Sequence, residues 1–229
     1  MQVGFDLISD LHLTTTDKFD WAGRATSLYC LVPGNISADL STVKLVLTTL
    51  SKYYQGVFYI GGELEFTGCT DVHKRINELS KICRNIRNVA FLYNRVIIMD
   101  AIAIIGCNGW YATEPEEDTN AVEILHAEDL LYLTNSITKL QKHIDVRQMI
   151  VLSNSVPNKV LYYGEAPEAT RGRIDLNSAL EADVQNKIST WVFGAYGKVV
   201  DTTIDSVHYS SNPACGKNPY WAHRINVVT

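Results

Sequence analysis

Val3-Gly4-Phe5-Asp6-Leu7-Ile8-Ser9-Asp10-Leu11-His12-Leu13 is an apolar run that closes on a carboxylate and an imidazole two positions apart. Its β-branched and aromatic content reads as a buried strand, and Ser9 to His12 as the loop that leaves it. In α/β sheets that edge is where ligands bind. An oxygen and a nitrogen ligand side by side also suit zinc, iron or manganese. Asp6 falls inside the strand and is expected to be a hydrogen-bonded structural carboxylate.

Working outward, Leu28–Val32 is a second short apolar strand, closed by Pro33-Gly34-Asn35. With Ser41 as N-cap, Val43, Val46, Leu47, Leu50 and Tyr54 recur at helical steps. Gly56–Ile60 is a third strand, punctuated by Gly61-Gly62. Strand, helix and strand in that order imply a right-handed parallel unit. A second helix is predicted over Asp71–Cys83, with Ile76, Leu79 and Ile82 inward. Val89–Tyr93 reads as a strand, and Arg95–Met99 with Ile102–Gly106 as a hairpin around Asp100-Ala101.

Asn108–Thr119 is a loop holding Trp110, Tyr111 and the acidic run Glu114, Glu116, Glu117, Asp118. The longest helix is predicted over Asn120–His143, carrying Ile124, Leu125, Leu131, Ile137 and Leu140. Met149–Leu152 is a strand ending at Ser153-Asn154-Ser155. A loop runs from Pro157 to Asp175, and a short helix near Ser178–Ile188 follows. Thr190–Phe193 is a strand ending at Gly194-Ala195-Tyr196-Gly197. Lys198–Thr203 and Ser206–Tyr209 form a hairpin across Ile204-Asp205, and His223–Val228 is the last strand. Parallel units followed by hairpins predict an α/β protein of one domain over 1–229, with two packed mixed β-sheets flanked by helices.

Composition narrows the function classes. The chain has 229 residues, 46% of them hydrophobic and 20% charged, which is a globular balance. A net charge of −5 argues against a general nucleic-acid or membrane-surface binder, which needs clustered Lys and Arg. No stretch reaches the ~18 consecutive apolar residues of a membrane span. The N-terminus lacks the charged start and cleavage site of a signal peptide. Five cysteines, an odd number without a C-x-x-C pair, suggest free thiols in a reducing cytoplasm. No P-loop, G-x-S-x-G or G-x-G-x-x-G motif is present.

Five strand ends stand in order: Ser9-Asp10-Leu11-His12, Pro33-Gly34-Asn35, Gly61-Gly62-Glu63-Leu64-Glu65-Phe66, Ser153-Asn154-Ser155-Val156-Pro157 and Gly194-Ala195-Tyr196-Gly197. Their order and spacing resemble the calcineurin-like metallophosphoesterases, which carry D-x-H, G-D, G-N-H-E, T-H-H-x-P and G-H-x-H after successive strands. Trp191, Glu65-Phe66 and Asn212-Pro213 fit the same frame, so the resemblance spans essentially the whole chain. It implies an αββα sandwich. It also implies a site with two divalent ions, a bridging aspartate and a histidine that assists the leaving group.

Residue by residue, Asp10 and His12 match that pattern. The bridging aspartate stands as Asn35, the metal-binding asparagine as Glu63, and the catalytic histidine as Leu64. The fourth motif's histidine stands as Asn154, and those of G-H-x-H as Ala195 and Gly197. Two divalent ions ~3.5–4 Å apart repel by on the order of 18 kcal/mol at an effective dielectric near 20. A bridging carboxylate offsets much of this, and a neutral asparagine cannot.

The expectation is therefore no metal cofactor and no catalysis, with a binding or structural role beside a protein partner or further copies of the chain. Sequences that diverge this freely are common in viruses, which points to a phage origin and to a cytoplasmic or virion location. The alternative is a phosphoesterase holding one manganese or magnesium ion on Asp10, His12 and Glu63, helped by Asn35 or Asn154. A third reading is a metal-free sensor whose pocket is opened by Ala195 and Gly197. Trp110, Tyr111, Tyr162, Tyr163, Tyr220 and Trp221 are the candidate interface aromatics. His73, His126, His143, His208 and His223 are expected away from the site.

Overall fold

The computed structural model describes residues 2–110, 119–161, 176–215 and 220–229. Two sheets lie face to face. The first has the order β11-β1-β2-β3-β4, built from β1 (Gln2–Leu7), β2 (Tyr29–Val32), β3 (Gly56–Tyr59), β4 (Val89–Phe91) and β11 (His223–Val228). The second has the order β5-β6-β7-β8-β10-β9, from β5 (Arg95–Met99), β6 (Ile102–Cys107), β7 (Gln148–Ser153), β8 (Ile188–Phe193), β9 (Val200–Ile204) and β10 (Val207–Ser211). β1 to β4 run parallel and β11 pairs antiparallel with β1. In the second sheet β6, β7, β8 and β10 are mutually parallel, while β5 and β9 pair antiparallel at the edges.

Strand alternation sorts side chains into three apolar layers. Phe5, Leu7, Leu31, Ile104, Ile150 and Val192 fill the space between the sheets. Val43, Leu47 and Leu50 of α1 (Leu40–Leu50) join Leu79 and Cys83 of α3 (Val72–Arg84) on the outer face of the first sheet. Leu133, Ile137 and Leu140 of α4 (Thr119–Gln141) cover the second sheet with Ala103, Ile105 and Val151. The order is helices, sheet, sheet, helix, as predicted.

Several elements differ from the sequence reading. The N-cap of α1 is Asp39, whose Oδ2 accepts from the Thr42 N–H at 2.8 Å, so Ser41 lies inside the helix. A carboxylate two residues earlier already satisfies one of the free N–H groups. Glu63–Phe66 forms a further short helix, α2. The helix expected over Ser178–Ile188 is a 3-10 segment, Leu176–Ala182, and Ile188 already begins β8. Asp183 stops it by accepting from the backbone N–H of Lys187 (2.9 Å) and Ile188 (2.6 Å). The β9–β10 turn sits at Asp205-Ser206, both with positive φ (48° and 70°), one residue later than expected.

On α4, Ile124 and Leu131 face outward, and the inner face instead buries His126 and Asp129. Asp6 is fully buried and accepts from the Thr26 N–H at 2.7 Å and the Tyr54 hydroxyl at 2.8 Å.

Candidate functional site

The loops after β1, β2, β3, β7 and β8 meet at one end of the sandwich. Four of their non-glycine residues adopt left-handed backbone: Asp10 (φ 50°), His12 (φ 50°), Asn35 (φ 57°) and Ala195 (φ 52°). Such conformations are uncommon outside glycine and concentrate at functional sites. The loops also pass unusually close. A Cβ on Gly62 would lie 2.4 Å from Asn35 Oδ1, and one on Gly34 would lie 2.6 Å from the Gly62 nitrogen. Only glycine allows this approach.

Asp10 is the hub. It is buried, and its Oδ1 accepts from Asn35 Nδ2 and from the Ala195 backbone N–H, each at 2.9 Å. Its Oδ2 accepts from the Ser9 hydroxyl at 2.9 Å. Burial raises the Asp10 pKa above the usual carboxylate value, against the pull of these three donors and of His12.

The Asn35 amide has a fixed orientation. The Leu64 backbone N–H, which can only donate, reaches Asn35 Oδ1 at 3.1 Å, so Nδ2 must face Asp10. Asn154 is set the same way. Its Nδ2 donates to the Pro33 carbonyl at 2.8 Å, and its Oδ1 accepts from the Glu63 N–H at 3.3 Å.

Glu65 closes the base of the site. One of its oxygens accepts from the N–H groups of Asn35 (3.0 Å) and Gly62 (2.7 Å), and the other from Ile36 (2.6 Å). Complete burial pushes its pKa up to about 7, although the three donors favour the ionised form.

The remaining predicted residues are placed as follows. His12 is half-exposed, with Nε2 3.9 Å from Asp10 Oδ1. Glu63 lies exposed at the start of α2, followed by half-buried Leu64. Gly197 has φ 68°. Among the described residues, no three His, Cys, Asp or Glu side chains gather as a metal-holding group.

The residues present do not fit a two-metal centre. Ala195 and Gly197 carry no ligating side chain, and Ala195 meets Asp10 through its N–H. The oxygens of Asn35 and Asn154 already accept backbone N–H groups, and their nitrogens can only donate. His73 and His143 are exposed, His208 and His223 flank Asp201, and His126 is buried on the inner face of α4.

Of the candidate interface aromatics, Tyr220 is buried against Phe19, which removes it from any contact surface. Trp110 is half-buried, edge-on to Phe66 at 4.7 Å, and donates from Nε1 to the Tyr93 hydroxyl. Trp221 is 67% exposed, with Arg24 over its ring. Tyr111, Tyr162 and Tyr163, with the acidic run, lie outside the described residues.

Two residues that support the site were missed. Asn108 donates to the Gly61 carbonyl at 2.9 Å and accepts the Asn154 N–H through its own carbonyl at 3.1 Å. Asp129 on α4 accepts from the Gly109 N–H at 2.6 Å and from Asn94 Nδ2 at 2.8 Å. Burial pushes Asp129 up to about 6. The only sequence signal for it was a carboxylate in step with Leu133 and Ile137.

No protein-family profile and no curated protein matches the sequence. Solved structures do match. A phosphopantetheinyl hydrolase (PptH) of Mycobacterium tuberculosis superposes with a TM-score of 0.70 at 14% identity, over 98% of this chain and 96% of that one. A putative 5′-nucleotidase of Staphylococcus aureus gives 0.58 at 13% identity, over all of this chain and 51% of that one. GAP50 of Plasmodium, described as the anchor in the inner membrane complex, gives 0.59 at 12% identity, over 94% and 71%. The chain has the calcineurin-like phosphoesterase fold.

Proposed function

We propose that this chain is a catalytically inactive protein of the metallophosphoesterase fold that serves as a binding or structural subunit of a protein assembly. One observation carries the reading: the Asn35 side-chain N–H stands where a bridging carboxylate would be and points at Asp10 Oδ1. The amide supplies the partial positive charge that the buried carboxylate requires. It also brings no negative charge of its own, so the offset that a bridging carboxylate gives against the repulsion between two cations is lost.

GAP50, described as the anchor in the inner membrane complex, shares the fold, which supports an assembly role for such a scaffold. Free divergence of the motif positions is common in viral proteins, so a virion or cytoplasmic assembly is the setting that fits the reading. A generic phosphodiester incubated with manganese or zinc tests it. Turnover should equal background for both the wild type and the Asp10→Ala variant. Turnover that the wild type shows and Asp10→Ala loses would overturn it.

A further inference from the structure

Helix α4 is apolar on two sides. Its inner side, Leu133, Ile137 and Leu140, is buried against the second sheet. On the opposite side Ile124 is 61% exposed and Leu131 is 63% exposed. Ile124, Ala127, Leu131, Thr134 and Thr138 recur at alternating steps of three and four, which aligns them in one stripe along the helix. Large Ile124 and Leu131 are flanked along it by the smaller Ala127, Thr134 and Thr138, so a second helix could interdigitate with the stripe.

The charges beside the stripe indicate which helix. Glu128 and Lys139 are both exposed. They are eleven residues apart, about three turns, so both lie on the same flank. A second α4 laid antiparallel, with its two-fold axis midway between them, sets each Glu128 opposite the other copy's Lys139. The same register inserts each Leu131 between Thr134 and Thr138 of the other copy. From Ala127 to Thr138 the stripe is thus complementary to itself in shape and in charge, the requirement for an isologous interface.

We propose that the outward face of α4 is the contact through which two copies of this chain form a two-fold dimer. This gives the subunit reading a surface separate from the loop site. The experiment reads self-association rather than turnover, so the two proposals fail separately.

Sedimentation equilibrium of the full chain from about 1 to about 500 µM should show a monomer–dimer equilibrium. Leu131→Glu should give monomer throughout, with the melting temperature of the dilute protein unchanged because the residue is exposed. Glu128→Lys should weaken the dimer by about tenfold or more, since both symmetric contacts become like-charged. The double exchange, Glu128→Lys with Lys139→Glu, should restore it. A wild type that stays monomeric throughout would overturn the proposal. So would a dimer that Leu131→Glu leaves intact, or a double exchange no better than the single variant.

Discussion

Asn35 sits where the resemblance places a bridging aspartate, and the two residues differ by an amide for a carboxylate oxygen. That exchange turns repulsion into a hydrogen bond at 2.9 Å from Asp10 Oδ1. Asn35→Asp would set two buried carboxylates against each other, and such a pair holds one proton with one pKa strongly raised. A raised acid contributes its full stability below its unfolded pKa and loses it as pH climbs. With a chelator present, the variant should therefore unfold nearly as the wild type does near pH 4. By pH 7.5 it should be less stable by about 3 kcal/mol or more. Urea titrations at the two pH values measure the difference.

Glu65 follows the same sign. Its folded pKa of about 7 lies above the ordinary 4.5, so the unfolded chain releases this proton first. Stability falls between about pH 4.5 and 7, by on the order of 3 kcal/mol for this group. Asp129, at about 6, adds in the same direction over a narrower window. Denaturant midpoints across pH 4.5–7.5 should decline in the wild type and decline less in Glu65→Gln. At this scale the motif positions were legible in the sequence, because Asp10, Asn35, Asn154 and Ala195 all end strands as read. The direction of their hydrogen bonds was not, since it depends on Leu64 and Glu63 N–H groups brought in from another loop.

At the scale of elements, apolar runs located the strands well, and the helix termini show where local signals compete. Asp39 and Ser41 are both capping types, and only the backbone decides between them: Asp39 is extended (φ −91°, ψ 117°) while Ser41 is already helical. Asp39→Ala should cost about 1 kcal/mol, and Ser41→Ala no more than a few tenths, by thermal or chemical unfolding. The inner face of α4 was not legible in the sequence for a different reason. Periodicity cannot tell inside from outside when both faces carry large apolar residues, and the buried side includes His126 and Asp129. The 3-10 segment at Leu176–Ala182 was read as a longer helix because the stop comes from the Asp183 side chain, which shapes the chain toward Lys187 and Ile188.

At the scale of the molecule, the loops of two sheets converge and need something to hold them together. In this chain Asp10, Asn35, Asn154 and Glu65 tie the ends of β1, β2, β3, β7 and β8 through hydrogen bonds. Close glycine contacts at Gly34, Gly62 and Gly194 complete the join. An Asp10 carboxylate so satisfied gains little from a cation, and a ligand stabilises a fold only in proportion to how well the folded state binds it. The most direct measurement is the melting temperature of chelator-stripped protein with and without excess manganese. The account predicts the same value within about 1 °C. A rise of about 5 °C or more that saturates with manganese, and that Asp10→Ala abolishes, would contradict it.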